Sequence, residues 1–431
     1  MLRGSNVNSS LSKVAQTMAS RVLRLLLATV TGVLLARTLQ PEGRGTYAII
    51  ATAAATAIVM GHFSIEQTQI SLWADRARRH CLAVNGLLLG LILGTVAALV
   101  GMMLTLLGAM PTTSPLLYLA LLSVPFGVMT TNLRGIALLR SEVGVVNRAT
   151  VAAGLIQCLP LLVLIAIGNV TVASVVVCWT ISITVPSLIL IRALGLRPLR
   201  GGGRLAFHQL ALGSRYHVGV VAFHLLLTVD ILLLHALDSA AAVGIYTVAV
   251  TVLELARIPA EAITQVALPQ QASSDMNDAA QVTARIIRLS LLLSAAFIGV
   301  LAALSPTLIP LLYGQSYAGC VAPLLVLAPG MIALFLMRPV EQYLVRLGRP
   351  ISMTAIPVGA AAANILLNLV LIPRLGAVGA ALSSTITYVL MAALEISWFA
   401  RSAGIPKSAL LPRPATMRSA LDPYVRSESI S

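Results

Sequence analysis

Twelve stretches of mostly apolar residues, each long enough to cross a bilayer, follow one another along the chain, and no soluble fold accommodates that pattern. A spanning helix needs about 20 such residues to cross roughly 30 Å of hydrocarbon. The stretches run over about 14–39, 45–71, 82–107, 116–139, 149–168, 171–194, 211–236, 241–268, 286–312, 321–346, 351–372 and 376–400. Pro125, Pro160, Pro186, Pro259, Pro329 and Pro357 fall inside several of them. Membrane helices tolerate proline, because neighbouring groups re-satisfy the freed backbone. No stretch alternates in the manner of a lipid-facing strand, so the expected fold is all-α. Composition agrees: 58% of the 431 residues are hydrophobic and 10% charged, against about 25% charged in soluble domains. That balance excludes a set of soluble domains, a disordered chain and a disulfide scaffold.

The few charges set an orientation. Lys+Arg 29 against Asp+Glu 14 gives +15. A nucleic-acid surface would need these cations clustered on a polar domain, and there is none. One set of loops holds Arg76, Arg78 and Arg79; Arg140 and Arg148; Arg192, Arg197, Arg200 and Arg204; Arg285 and Arg288; Arg346 and Arg349; and Arg401 with Lys407. The opposite set holds only Arg37, Arg44 and Arg374. Short Lys/Arg-bearing loops stay in the cytoplasm, so both termini are expected inside, and an even helix count agrees. Cys81, Cys158, Cys178 and Cys320 are scattered without metal-ligand spacing. The N-terminus lacks the short apolar core and small-residue cleavage site of a removed signal.

A loop at roughly 195–210, with Gly201-Gly202-Gly203 among arginines, divides the helices six and six. Across it the sequence echoes itself: Val33-Leu34-Leu35-Ala36-Arg37-Thr38-Leu39 leads to Gly45-Thr46-Tyr47, and Ile231-Leu232-Leu233-Leu234-His235-Ala236-Leu237 leads to Gly244-Ile245-Tyr246. Two six-helix lobes of like orientation are therefore expected, over residues 1–200 and 201–402, followed by a disordered cytoplasmic tail at 403–431. Backbone freedom accounts for the echoed glycine of each outer turn, and interfacial anchoring for Tyr47 and Tyr246.

No G-x-x-x-x-G-K-[ST], H-E-x-x-H or G-x-S-x-G motif is present. Nothing argues for an enzyme, a cofactor or a metal. The informative residues are ionisable groups inside apolar helices, which usually face a cavity or a partner. Arg21 and Arg24 share a helix side, and either line water or snorkel to the headgroups. Arg257 has Glu254 and Glu261 three before and four after it. It is either a neutralised intrahelical pair or an anion-responsive cavity site. Asp230 is either an interfacial cap or a lumenal acid. Glu66, in the polar run His62-Phe63-Ser64-Ile65-Glu66-Gln67-Thr68-Gln69, either lines a cavity or bonds between helices. Arg134 and Arg338 read as cytoplasmic-end residues. Asn364, Asn368, His217, His224 and His235 read as hydrogen-bonded bundle residues.

Two motifs carry a family resemblance. Leu34-Leu35-Ala36-Arg37-Thr38-Leu39-Gln40-Pro41-Glu42-Gly43-Arg44-Gly45-Thr46-Tyr47 resembles the first hairpin of bacterial polysaccharide transporters, with Gln40 where glycine is usual. The stretch from Asn364 through Pro373 and Gly376 to Ala381 is similar to that family's last two helices, and Asp230 with Gly244-Ile245-Tyr246 to the start of its second lobe. These transporters are a branch of the multidrug/oligosaccharidyl-lipid/polysaccharide (MOP) flippase superfamily, whose multidrug branch is known as MATE. The resemblance implies a two-lobed flippase in the bacterial plasma (inner) membrane, serving lipopolysaccharide or exopolysaccharide synthesis. Its substrate would be an undecaprenyl-diphosphate-linked oligosaccharide, moved by alternating access through a cationic cavity. Arg21, Arg24 and Arg257, with Glu66, would line that cavity, since arginine's planar fork suits a diphosphate. Asp230 or Glu254 would take a coupling proton or sodium ion. Membrane lipid, a polysaccharide polymerase and chain-length proteins are the partners implied. The alternatives are a cation-coupled exporter of small molecules from the multidrug branch, which should carry acidic cavity residues, and a major-facilitator carrier, whose loop motif Asp75-Arg76-Ala77-Arg78-Arg79 only partly mimics. A glycan polymerase or ligase would want a large outer loop.

Overall fold

The computed structural model describes residues 2–110, 112–196, 202–258, 275–346 and 350–410, with side chains from residue 19 onward except at 21 and 345–353. Its elements are α1 (Leu2–His62), α2 (Ile65–Leu72), α3 (Arg79–Leu106), α4 (Pro115–Leu121), α5 (Val124–Leu139), α6 (Val143–Ala166), α7 (Val172–Ala193), α8 (Gly203–Leu237), α9 (Ala240–Glu254), α10 (Met276–Tyr313), α11 (Val321–Arg346) and α12 (Pro350–Ala403), with short 3-10 turns between some of them. Among the described residues there is no strand. Among the same residues nine helices are long and apolar enough to cross a membrane, and Ala240–Glu254 is a shorter apolar helix. This is a multi-pass membrane protein.

The breaks have local causes. Α1 is two helices meeting at Gln40, whose φ of 58° and ψ of 176° stop one and turn the chain into the next at Pro41. Α12 breaks in the same way at Gly376, with φ 55° and ψ −131°. Both lie where the sequence places outer turns. The expected stretch 116–139 is two elements, α4 and α5, and Pro125 stands in the first turn of the second, where its missing N–H leaves no intrahelical bond unmade. The expected stretch 45–71 is also interrupted, at Phe63 and Ser64. Pro160 and Pro186 remain inside α6 and α7.

The chain forms two compact units. One is Met1–Thr247 with Leu312–Tyr317, and the other is Val248–Leu311 with Ala318–Ser431. In the first, α3 lies against α5, α6 against α7, and α1 against α3, α6 and α8. Gly90 and Gly94 let α3 approach α5 closely: a Cβ on either would overlap the backbone of Met129 or Pro125. Small residues at helix contacts are how membrane helices gain packing energy without a hydrophobic drive between them. Leu82, Leu133, Ile136 and Leu190 form one core of this unit, and Ile50, Leu117, Leu121 and Val176 another. In the second unit α11 packs on α12, with Tyr343 edge-on to Phe399 at 4.9 Å. Leu91, Ile92, Val96, Leu99 and Met103 leave an apolar exposed side on α3, as a surface facing lipid should.

Candidate functional site

In the first unit the polar side chains gather where α1 gives way to α2. Phe63 and Ser64 both have left-handed backbones, φ 48° and 52°. Α8 comes so close that a Cβ on Gly213 would strike the Phe63 carbonyl. Because α1 stops at His62, the Ser64 N–H loses the carbonyl four residues back and donates instead to His62 Nδ1 at 2.9 Å. The orphaned Met60 carbonyl meets His217 Nε2 of α8 at 3.1 Å. The other ring nitrogen, Nδ1, lies 3.3 Å from Ser64 Oγ. The His62 and His217 rings stand edge to face at 5.4 Å, and Phe63 covers His217 at 4.9 Å. Two turns along α8, His224 Nε2 bonds the Thr56 hydroxyl at 3.0 Å. His217 and His224 are thus hydrogen-bonded bundle residues, as expected. His62 was not singled out, although the polar run beginning with it was the available signal.

Beyond the break, Glu66 is half-buried in the first turn of α2. Its side chain passes over Gly135, and its charge interacts with that of Arg134. Gln69 is fully buried against Gly86 and Gly135. Asn132 donates to the Gly86 carbonyl at 3.3 Å, and Asn85 to Gln209 Oε1 at 3.0 Å. Gln69 closes the polar run that the sequence shows; Asn85, Asn132 and Gln209 carry no such signal, because an isolated amide looks like any other polar residue of an apolar helix.

Asp230 of α8 and Tyr246 of α9 are each 1% exposed. The Tyr246 hydroxyl donates to Asp230 Oδ2, and the Ile231 N–H to Oδ1 at 2.9 Å. A carboxylate taken out of water needs such donors. This corrects two expectations: Asp230 is no interfacial cap, and Tyr246 is its buried partner, not an interfacial anchor. Tyr47 is likewise engaged, its hydroxyl accepting from Gln157 Nε2 at 3.0 Å. At the Gln40 break Arg37 Nε donates to the Leu312 carbonyl at 2.7 Å. Arg44 is buried, bonds the Gly32 carbonyl and lies 5.9 Å from the centre of the Tyr313 ring.

The proposed cationic residues fall in both units. Arg24 is exposed on α1 in the first unit; the Arg21 side chain lies outside the described residues. Glu254, at the end of α9, and Arg257 just past it belong to the second unit, and both are exposed. Glu261, Pro259 and the chain from 411 onward also lie outside the described residues. In α12, Asn364 donates to Thr387 Oγ1 at 3.1 Å and accepts from Asn368 at 2.8 Å. Asn364 thus ties the two halves of the broken helix together, while Asn368 bonds within its own half. Two carboxylates in this unit were missed: Glu395 is buried, and its charge interacts with that of Glu341.

Residues 34–322, two thirds of the chain, match the family model described as polysaccharide biosynthesis protein. The chain belongs to that family. No curated protein matches it by sequence. Among solved structures, this family member is similar to the lipid II flippase MurJ in an inward closed conformation, with a TM-score of 0.73 and 13% identity, over 93% of this chain and 89% of that one. A MOP superfamily transporter from Pyrococcus furiosus gives 0.63 and 14% over 92% and 94%. An inward-facing MATE family multidrug transporter of the same superfamily gives 0.58 and 16% over 90% and 95%. Identities this low establish a shared fold, and the fold is that of the MOP superfamily.

Proposed function

We propose that this protein is a flippase for lipid-linked oligosaccharides. It carries undecaprenyl-diphosphate-linked repeat units from the cytoplasmic to the outer leaflet of a bacterial plasma membrane. The observation that carries the reading is the family match over residues 34–322 on a chain whose fold is shared with a lipid II flippase. Dividing the two long apolar helices at Gln40 and Gly376 and adding Ala240–Glu254 brings the nine spans to twelve. Twelve spans agree with two six-helix lobes over 1–200 and 201–402 and with cytoplasmic termini.

In this reading Arg21, Arg24 and Arg257 hold the diphosphate through charge-assisted, forked hydrogen bonds. Glu66 lines the path of the sugar, and a hydrated passage spares its hydroxyls from hydrocarbon. Asp230 or Glu254 takes the coupling ion, and alternating access rocks one lobe against the other. A polymerase and chain-length proteins would receive the product. The second reading, a cation-coupled exporter of small molecules, is favoured by the likeness to MATE transporters. Proteoliposomes separate the two: a flippase translocates a fluorescent undecaprenyl-diphosphate oligosaccharide and leaves a cationic dye where it was. Dye transport without lipid translocation would select the exporter.

A further inference from the structure

His217 has an arrangement that bundle packing alone does not require. Its Nε2 faces the Met60 carbonyl, and a carbonyl only accepts, so Nε2 carries a proton in every state. Its Nδ1 faces Ser64 Oγ, a hydroxyl that can either donate or accept. In the neutral ring the hydroxyl donates to Nδ1. If Nδ1 gains a proton, the hydroxyl turns and accepts from it. Both N–H groups of a charged His217 are therefore matched, with no movement beyond one hydroxyl rotation.

His62 differs. Its Nδ1 accepts from the Ser64 N–H, and adding a proton there would set two donors against each other. With the rings 5.4 Å apart, two positive charges in apolar surroundings repel strongly, so the pair holds one proton and His217 is its seat. The titratable groups around His217 are His62 across the break and His224 two turns along α8, which is occupied by Thr56. Arg215 is on an exposed side of α8. Glu66, one turn past the break, lies within the electrostatic reach of Arg134. Α3 approaches α8 through Asn85 and Gln209.

We propose that His217, between the Ser64 hydroxyl and the Met60 carbonyl, is a proton-binding site of this transporter, and that its loading is required, together with ion binding at Asp230 or Glu254, for transport to respond to a proton gradient. The coupling part rests on the transport reading above; the binding part does not. Charging His217 also reverses the Ser64 hydroxyl at a residue held in a left-handed conformation, so the proton acts on the joint between α1 and α2.

The test uses full-length protein in lipid nanodiscs with 15N-labelled histidine, titrated from pH 8.5 to 5. The six histidines make the spectrum tractable. The His217 ring, assigned by its loss in His217→Gln, is expected to pass from one protonated nitrogen to two. Ser64→Ala, which removes the acceptor for the new N–H, should bind the proton at least tenfold more weakly, and it also provides the assignment if His217→Gln does not fold. In proteoliposomes an imposed inward-acid gradient should accelerate the wild type, and in His217→Gln the ratio of rates with and without the gradient should fall to one. A His217 ring that keeps a single protonated nitrogen down to pH 5 overturns the proposal, as does full gradient stimulation in His217→Gln. If the wild type moves no lipid-linked oligosaccharide, the flippase reading fails while the nitrogen titration still decides the binding site.

Discussion

Gly45 and Gly244 face each other across two helices that touch backbone to backbone. A Cβ on Gly45 would fall on the Ala240 carbonyl and within 3.0 Å of the Gly244 nitrogen, and one on Gly244 would fall on the Pro41 carbonyl. The two echoed motifs therefore meet, each supplying the glycine that the other's carbonyl needs. Neither glycine has a positive φ, so the expectation that backbone freedom explains them is corrected: close approach does.

Gly45→Ala and Gly244→Ala should each cost about 2 kcal/mol or more, the usual penalty of overpacking against backbone that cannot yield. Gly299→Ala on α10, whose Cβ would meet open space, is the control and should gain up to about 1 kcal/mol of helix propensity. Thermal unfolding of the purified protein in detergent checks all three. Equal midpoints for Gly45→Ala and Gly299→Ala would refute the contact.

Gln40 occupies a backbone region that is almost reserved for glycine, at a strain of about 1–3 kcal/mol. Its side chain recovers part of that by donating to the Arg37 carbonyl at 3.0 Å and accepting from Ser316 at 2.8 Å. Gln40→Gly, the residue usual in the resembled motif, should raise stability by up to about 1 kcal/mol net. A lower melting midpoint for this variant would mean that the two hydrogen bonds outweigh the strain.

Asp230 and Tyr246 should behave as one unit. A buried hydrogen bond to a charged group contributes about 1.5–3 kcal/mol, and removing one partner leaves the other unsatisfied. Tyr246→Phe and Asp230→Asn should each lower stability by about that amount, while the double variant loses clearly less than their sum. A double-mutant cycle by thermal unfolding measures the coupling, and strict additivity would contradict it.

The spans were legible because roughly 20 apolar residues in a row admit few alternatives. The helix ends were less so. At Gln40, Pro41 and Gly43 mark the turn; at Phe63–Ser64 no proline does, and Gly61 lies within the helix that precedes it. That break is imposed by α8, more than 150 positions away in sequence, which approaches over Gly213 and supplies His217 to the freed Met60 carbonyl. The same limit applies to Tyr246. A tyrosine near a helix end suits a membrane interface equally well, and only the packing of α9 on α8 brings it to Asp230. Glu341 and Glu395 went unnoticed because their proximity likewise arises from tertiary packing.

The central claim is that guanidinium groups hold a lipid diphosphate while its sugar crosses. The direct measurement is translocation of a fluorescent undecaprenyl-diphosphate oligosaccharide in proteoliposomes, comparing wild type with Arg24→Ala, Arg257→Ala and Arg21→Ala. If each arginine contributes a charge-assisted contact of about 1.5–3 kcal/mol, every single variant should slow flipping roughly tenfold or more, with Arg→Lys recovering only part. Wild-type rates in all three variants, at equal reconstituted protein, would contradict the account.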